Sequence, residues 1–198
     1  MKKALPWITL TLTIVATVLF LVVDFDDPLY QSLLLSRSNG FDGFSWLSGQ
    51  FLHTDWNHFI FDVFAFLILG YCIESHSRIM WMVTLILGFS SMGIWFWYQT
   101  EFNYYAGLSG ALNCFLVVAL YSLRDTQSLF RGNGLLWLLF IGALIKNLVE
   151  FKTGGALFSS TRWRSTPSFH LVGQLVGVFI VLVLTARNLV PKRSLSSE

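Results

Sequence analysis

Charge is what this sequence has least of. Only 12% of its 198 residues are Asp, Glu, Lys or Arg, while 55% are hydrophobic. A water-soluble domain carries roughly 25% charged residues. Half that share leaves too little polar surface to cover a globule in water, so the chain belongs in a membrane. Net charge is nearly absent too, and a formal +2 gives no basis for a nucleic-acid partner. Cysteine is scarce: Cys72 and Cys114 both lie in apolar stretches, where a free thiol behaves as a small hydrophobe. A disulfide would need their helices adjacent at matched depth, and free thiols are the expectation. No metal-ligand cluster containing cysteine is present. Internal repeats and low-complexity tracts are missing as well, which leaves one integral membrane domain over residues 1–198.

What the chain has instead is long apolar runs. Six of them, at about 5–23, 57–73, 79–98, 107–123, 134–151 and 168–186, span or nearly span a hydrocarbon core of about 30 Å. The expected fold is therefore all-α, a six-helix membrane bundle. The first run carries a Lys2-Lys3 flank like that of a signal peptide. Asp24, Asp26 and Asp27 close it where a small-residue cleavage site would stand, so it reads as a retained helix. Between about 25 and 55, "PLYQSLLL" and "FDGFSWL" mix apolar anchors with polar residues, the pattern of short helices lying on the membrane.

Six spans put both termini on one side. That side holds Lys2, Lys3, Arg78, Arg124, Arg131, Arg187, Lys192 and Arg193, against Arg37, Lys152, Arg162 and Arg164 on the other. Short cytoplasmic loops are enriched in Lys and Arg. Both termini are thus expected in the cytoplasm, with the 25–55, 99–106 and 152–167 loops facing the opposite compartment.

Polar residues inside spans are costly and so are functional suspects. His53, His58 and Asp62, then Ser109 and Asn113, Lys146 and Glu150, and finally His170 are the candidates. Ser109, His58 and His170 each lie near the outer end of a separate run, within one or two turns of a common level. A serine becomes a nucleophile when a histidine takes its proton. At a helix start it also sits among N–H groups that lack intrahelical acceptors and can receive an oxyanion. Taken singly, a serine between glycines is ordinarily a packing residue, and a Gly-xxx-Gly spacing such as Gly173 to Gly177 is a common helix-packing signature. Their coincidence at one depth points to a Ser–His dyad cutting peptide bonds within the membrane.

The same residues resemble the rhomboid intramembrane serine proteases. Gly107 to Gly110, "GLSG", is similar to that family's G-x-S-G at the head of the fourth span. "HLVGQLVG", His170 to Gly177, is similar to its H-x-x-G-x-x-x-G on the sixth. "HTDWNHFIFD", His53 to Asp62, follows its H-x-x-x-x-H-x-x-x-N except at the end. The resemblance implies Ser109 as nucleophile and His170 as general base, with His58 and the Ser109 N–H as oxyanion donors. It implies His53 as structural support and Gly173 as the residue that lets the sixth helix press against the fourth, with Gly177 in the same motif; Gly107 and Gly110 let the backbone beside Ser109 bend and a neighbouring chain approach. Substrates would be transmembrane helices of other proteins, cut near their outer ends, with no cofactor and no metal. The short chain, "HTDWNH", "GLSGALN" and the Lys146–Glu150 pair before "TGG" resemble the rhombosortase branch. That branch implies substrates with C-terminal Gly-Gly tails at a Gram-negative inner membrane.

Two departures stand out. Asp62 replaces an asparagine that donates to the oxyanion; as a carboxylate it would repel one, so it either stays neutral or orients His58 or Asn113. Asn113 replaces a tyrosine that packs on the catalytic histidine, so a hydrogen bond is expected to hold His170 instead. Lys146 and Glu150 read as an ordinary i,i+4 pair. Gly154-Gly155 reads as a turn, and Trp137, Phe140 and Phe151 as lipid-facing or packing residues. Alternative readings are a rhomboid protease with other helical substrates, an inactive rhomboid-like binder of membrane helices, and a small transporter or lipid-binding protein. Oligomeric state is not legible.

Overall fold

A computed structural model describes residues 5–40, 43–124, 134–155, 157 and 166–189. Six long helices account for most of it: α1 (Trp7–Val22), α4 (Trp56–His76), α5 (Arg78–Tyr98), α6 (Ser109–Leu123), α7 (Gly134–Thr153) and α8 (Pro167–Leu189). Two short helices, α2 (Pro28–Leu33) and α3 (Gly43–Ser48), and a 3-10 turn (Gly49–Phe51) fill the insert after α1. The helices α4, α5, α7 and α8 are long and apolar enough to cross a bilayer, whereas α1 and α6 are shorter. The chain is an integral membrane protein with an all-α bundle. Lys2, Lys3, Arg131, Arg162, Arg164, Lys192 and Arg193, on which the expected orientation partly rests, lie outside the described residues.

Local chemistry sets the helix starts. Asp27 caps α2 by accepting from the Leu29 N–H, with Pro28 at the first helical position. Asp55 caps α4 through the His58 N–H at 2.9 Å, and Ser77 caps α5 through the Met80 N–H. Each cap satisfies a donor that has no acceptor within its helix. The α7 helix stops at Gly154, whose φ of 72° suits the left-handed residue that commonly follows a helix end.

Helix α6 sits at the centre, against α4, α5 and α8, and touches α7 only lightly. Its Ala111, Cys114, Phe115, Val118 and Ala119 are almost completely buried among Phe66, Trp81, Phe89, Met92 and Phe96. Neither Cys72 nor Cys114 is in a disulfide. The start of α1 is held by a buried carboxylate: Glu74 of α4 accepts from the Ile8 N–H, the Thr9 N–H and the Thr9 hydroxyl, at 3.1, 2.8 and 2.7 Å. The opposite faces of the outer helices are apolar and exposed, with Phe61 and Phe64 on α4, Ile86 and Ile94 on α5, Leu138 and Ile145 on α7, and Phe179 and Leu182 on α8. These faces suit lipid.

The insert after α1 braces the approach to α6. Leu35 and Ser36 (β1) pair antiparallel with Tyr105 and Tyr104 (β2), a contact that hydrophobic patterning did not announce. Arg37 bonds the carbonyls of Phe102 and Phe96 at 2.9 and 2.8 Å and lies over the Phe96 ring. The Gly107 N–H bonds the Gly49 carbonyl. The chain therefore enters α6 on a fixed path.

Candidate active site

Ser109 is the first residue of α6, and no side chain caps that helix. The N–H groups of its first turn have no acceptor one turn back, so the hydroxyl stands beside open backbone donors. His170 lies one turn into α8, which Pro167 opens; a proline there has its φ already suited to a helix. Phe169 stacks on Tyr105 with centroids 4.4 Å apart, fixing the α8 start against the β2 segment. Lower down, the helices touch backbone to backbone. A Cβ on Gly173 would collide with the Gly110 carbonyl oxygen, and one on Gly177 would sit 2.9 Å from the Cys114 carbonyl oxygen. That approach brings His170 Nε2 to 3.1 Å from Ser109 Oγ. Ser109 is partly exposed and His170 is 9% exposed.

The other ring nitrogen is also engaged. His170 Nδ1 lies 3.0 Å from Glu150 Oε2, and Glu150 is 1% exposed. The same carboxylate oxygen accepts from Lys146 Nζ at 2.8 Å, while Oε1 accepts from the Leu157 N–H at 2.9 Å. One turn earlier on α7, Asn147 Nδ2 donates to Asn113 Oδ1 and to Gln174 Oε1, both at 2.8 Å. The Asn113 amide nitrogen donates in turn to the Ser109 carbonyl at 2.8 Å. An amide four residues after Ser109 folds back onto that residue's own carbonyl, so it is Glu150, not Asn113, that bonds His170.

A second cluster lies on the α4 side. Asp62 Oδ2 accepts from the Leu108 N–H at 2.8 Å and faces His58 Nε2 at 3.3 Å and His53 Nε2 at 3.4 Å. His53 Nδ1 lies 3.1 Å from the Phe51 carbonyl. Gly107, with φ of 102°, presents its Cα side to the His58 ring, and a Cβ there would strike the imidazole. The ligand atoms of His53, His58 and Asp62 lie within 4.8 Å of one another, a spacing that could also suit a metal ion. The Leu108 N–H and the two imidazoles already surround Asp62 Oδ2, which suits a carboxylate that orients neighbours rather than one that donates.

Ser109 and His170 thus meet where α6 and α8 begin, and His58, in the first turn of α4, lies beside Gly107, two residues before Ser109. Glu150 was legible only as half of a local pair. Asn147 and Gln174 gave no signal, being single amides in apolar runs. Turning to known proteins, a family model described as Rhomboid domain matches residues 41–187. No curated protein matches the chain.

Proposed function

This chain belongs to the rhomboid family, and we propose that it is an active intramembrane serine endopeptidase built on a Ser109–His170 dyad. The observation that carries the reading is the 3.1 Å separation of Ser109 Oγ and His170 Nε2, within the reach a general base needs. His170 Nε2 takes the hydroxyl proton as Oγ attacks the scissile carbonyl. The resulting oxyanion is met by the Ser109 N–H and by His58. His170 then passes the proton to the leaving amine. In the second half water, deprotonated by His170, releases the acyl group from Ser109. Asp62 serves by orienting His58 and by holding the Leu108 N–H beside the nucleophile. No cofactor enters this chemistry.

Depth supports an intramembrane substrate. With 15 residues, α6 rises only about 22 Å, well short of a hydrocarbon core of about 30 Å. A serine at its head is recessed below the membrane surface, where it meets the end of another protein's transmembrane helix. With both termini cytoplasmic, that end is periplasmic in a Gram-negative inner membrane. "HTDWNH", "GLSGALN" and the Lys146–Glu150 pair before "TGG" favour the rhombosortase branch, whose substrates carry C-terminal Gly-Gly tails. Retention of both Ser109 and His170 favours a protease over an inactive helix binder.

Co-expression with an exported protein bearing a Gly-Gly segment, an apolar helix and a basic end tests this. Wild type should process the tail, and Ser109→Ala and His170→Ala should leave it intact. Processing of a helical substrate lacking the Gly-Gly segment would favour a broader rhomboid protease. Equal processing by all three proteins would end the protease reading.

A further inference from the structure

We infer that Glu150 is a positioning residue for the base, so that the dyad works as a Glu–His–Ser relay completed by α7. The inference rests on the protease reading above. It starts from the two faces of one ring: His170 Nε2 meets Ser109 Oγ at 3.1 Å, while Nδ1 meets Glu150 Oε2 at 3.0 Å. An ionised carboxylate only accepts hydrogen bonds. Glu150 therefore puts the ring proton on Nδ1 and leaves the Nε2 lone pair for the serine hydroxyl. When Oγ attacks, its proton moves to Nε2 and the ring becomes an imidazolium beside a fixed negative charge. The carboxylate keeps no proton of its own, and the proton on Nε2 goes on to the leaving amine.

Glu150 is held for this task from three directions. Oε1 takes the Leu157 N–H, and Oε2 takes both Lys146 Nζ and the His170 ring. Lys146 divides the carboxylate's charge between itself and the histidine, so it weakens the pull on the imidazolium. Among the described residues, the polar groups bonded to the His170 ring are Ser109 from α6 and Glu150 from α7, the latter paired with Lys146; Tyr105 reaches the neighbouring Phe169 ring. On the α5 side, Trp95 donates to Ser168, and the sole charged residue of that helix is Arg78 at its far end. Only three residues of α7 are buried, Leu136, Asn147 and Glu150, and two of these bond the site. The docking of α7 is therefore a catalytic contact.

The test is the pH dependence of phosphonylation of the full-length protein in detergent by a fluorophosphonate probe, which needs no knowledge of the substrate. Glu150→Gln, with wild-type thermal stability as the folding control, should lower the rate at its optimum by about a hundredfold or more. Loss of the carboxylate removes the charge facing the imidazolium, so the acid limb of the profile should move as well. Lys146→Met should move that limb the opposite way, by a few tenths of a unit, because the lysine is partly exposed and screened. A purely structural Glu150 would lower rate and stability together and leave the limb in place. An unmoved limb in both variants, with wild type reactive, overturns the relay alone. A wild type that never reacts overturns the protease reading and the relay with it.

Discussion

Two seams meet at His170, and they are built in opposite ways. The α6–α8 seam is a backbone contact, with Gly173 over the Gly110 carbonyl and Gly177 over Cys114 and Val117. The α7 seam is polar, made of Asn147 with Asn113 and Gln174, and of Glu150 with His170. Lipid tails are as apolar as leucine, so helices in a membrane associate through close packing of small residues and interhelical hydrogen bonds rather than the hydrophobic effect. The first seam fixes the nucleophile–base distance rigidly. The second leaves Asn147 Oδ1 and Gln174 Nε2 buried without a hydrogen-bond partner, and unpaired polar groups of this kind cost about 1–3 kcal/mol each. One interface sets the geometry, and the other trims it and is easier to open.

The contrast can be broken most severely at Gly173. Gly173→Leu has no room against the Gly110 carbonyl, so Ser109 and His170 should separate and tail processing should vanish. Thermal unfolding in detergent should move several degrees lower, in line with the about 1–3 kcal/mol that overpacking typically costs. A smaller effect is expected beside the seam, at Gly107→Ala. There a positive φ strained by about 1–3 kcal/mol is joined by a methyl group against the His58 ring. Turnover should fall about ten- to a hundredfold, read as kcat against a fixed tailed substrate.

Asp62→Asn probes the orienting cluster. An amide oxygen still accepts from the Leu108 N–H, but the charge facing His53 and His58 is gone. A loss of about tenfold in turnover with a changed pH profile is expected, and stability should drop by about 1–2 kcal/mol. An unchanged pH profile would remove any catalytic part for the charge of Asp62. The mildest change belongs to the amide part of the polar seam. Asn147→Ala should cost about 1 kcal/mol or less of stability and alter turnover only a few-fold. If Asn147→Ala proved as damaging as Gly173→Leu, the division of labour between the seams would be wrong.

Much of this was readable from residues alone, for physical reasons. Apolar runs in lipid leave little choice but helices, and the expected stretch of 57–73 became Trp56–His76, while 107–123 became Ser109–Leu123. The glycines around Ser109 and after His170 announced a close contact because few other reasons place them there. What was hidden depended on partners distant in sequence. Glu150 four residues after Lys146 is fully explained by its own helix, and nothing in that spacing names a histidine 20 residues later. Glu74 reaches across 65 residues to Thr9, and the Leu35–Tyr105 pairing joins two residues with no strand pattern around them. Asn113 was legible as a departure from the family's tyrosine, but its turn back onto Ser109 follows from helix geometry and not from its identity.

The central claim is that the Ser109 hydroxyl is activated by the His170 ring across the α6–α8 seam. Mass mapping of the fluorophosphonate adduct on the full-length protein tests it most directly. The account predicts a single modified peptide containing Ser109, formed rapidly by wild type and absent in His170→Ala. A His170→Ala protein phosphonylated on Ser109 as fast as wild type would contradict it.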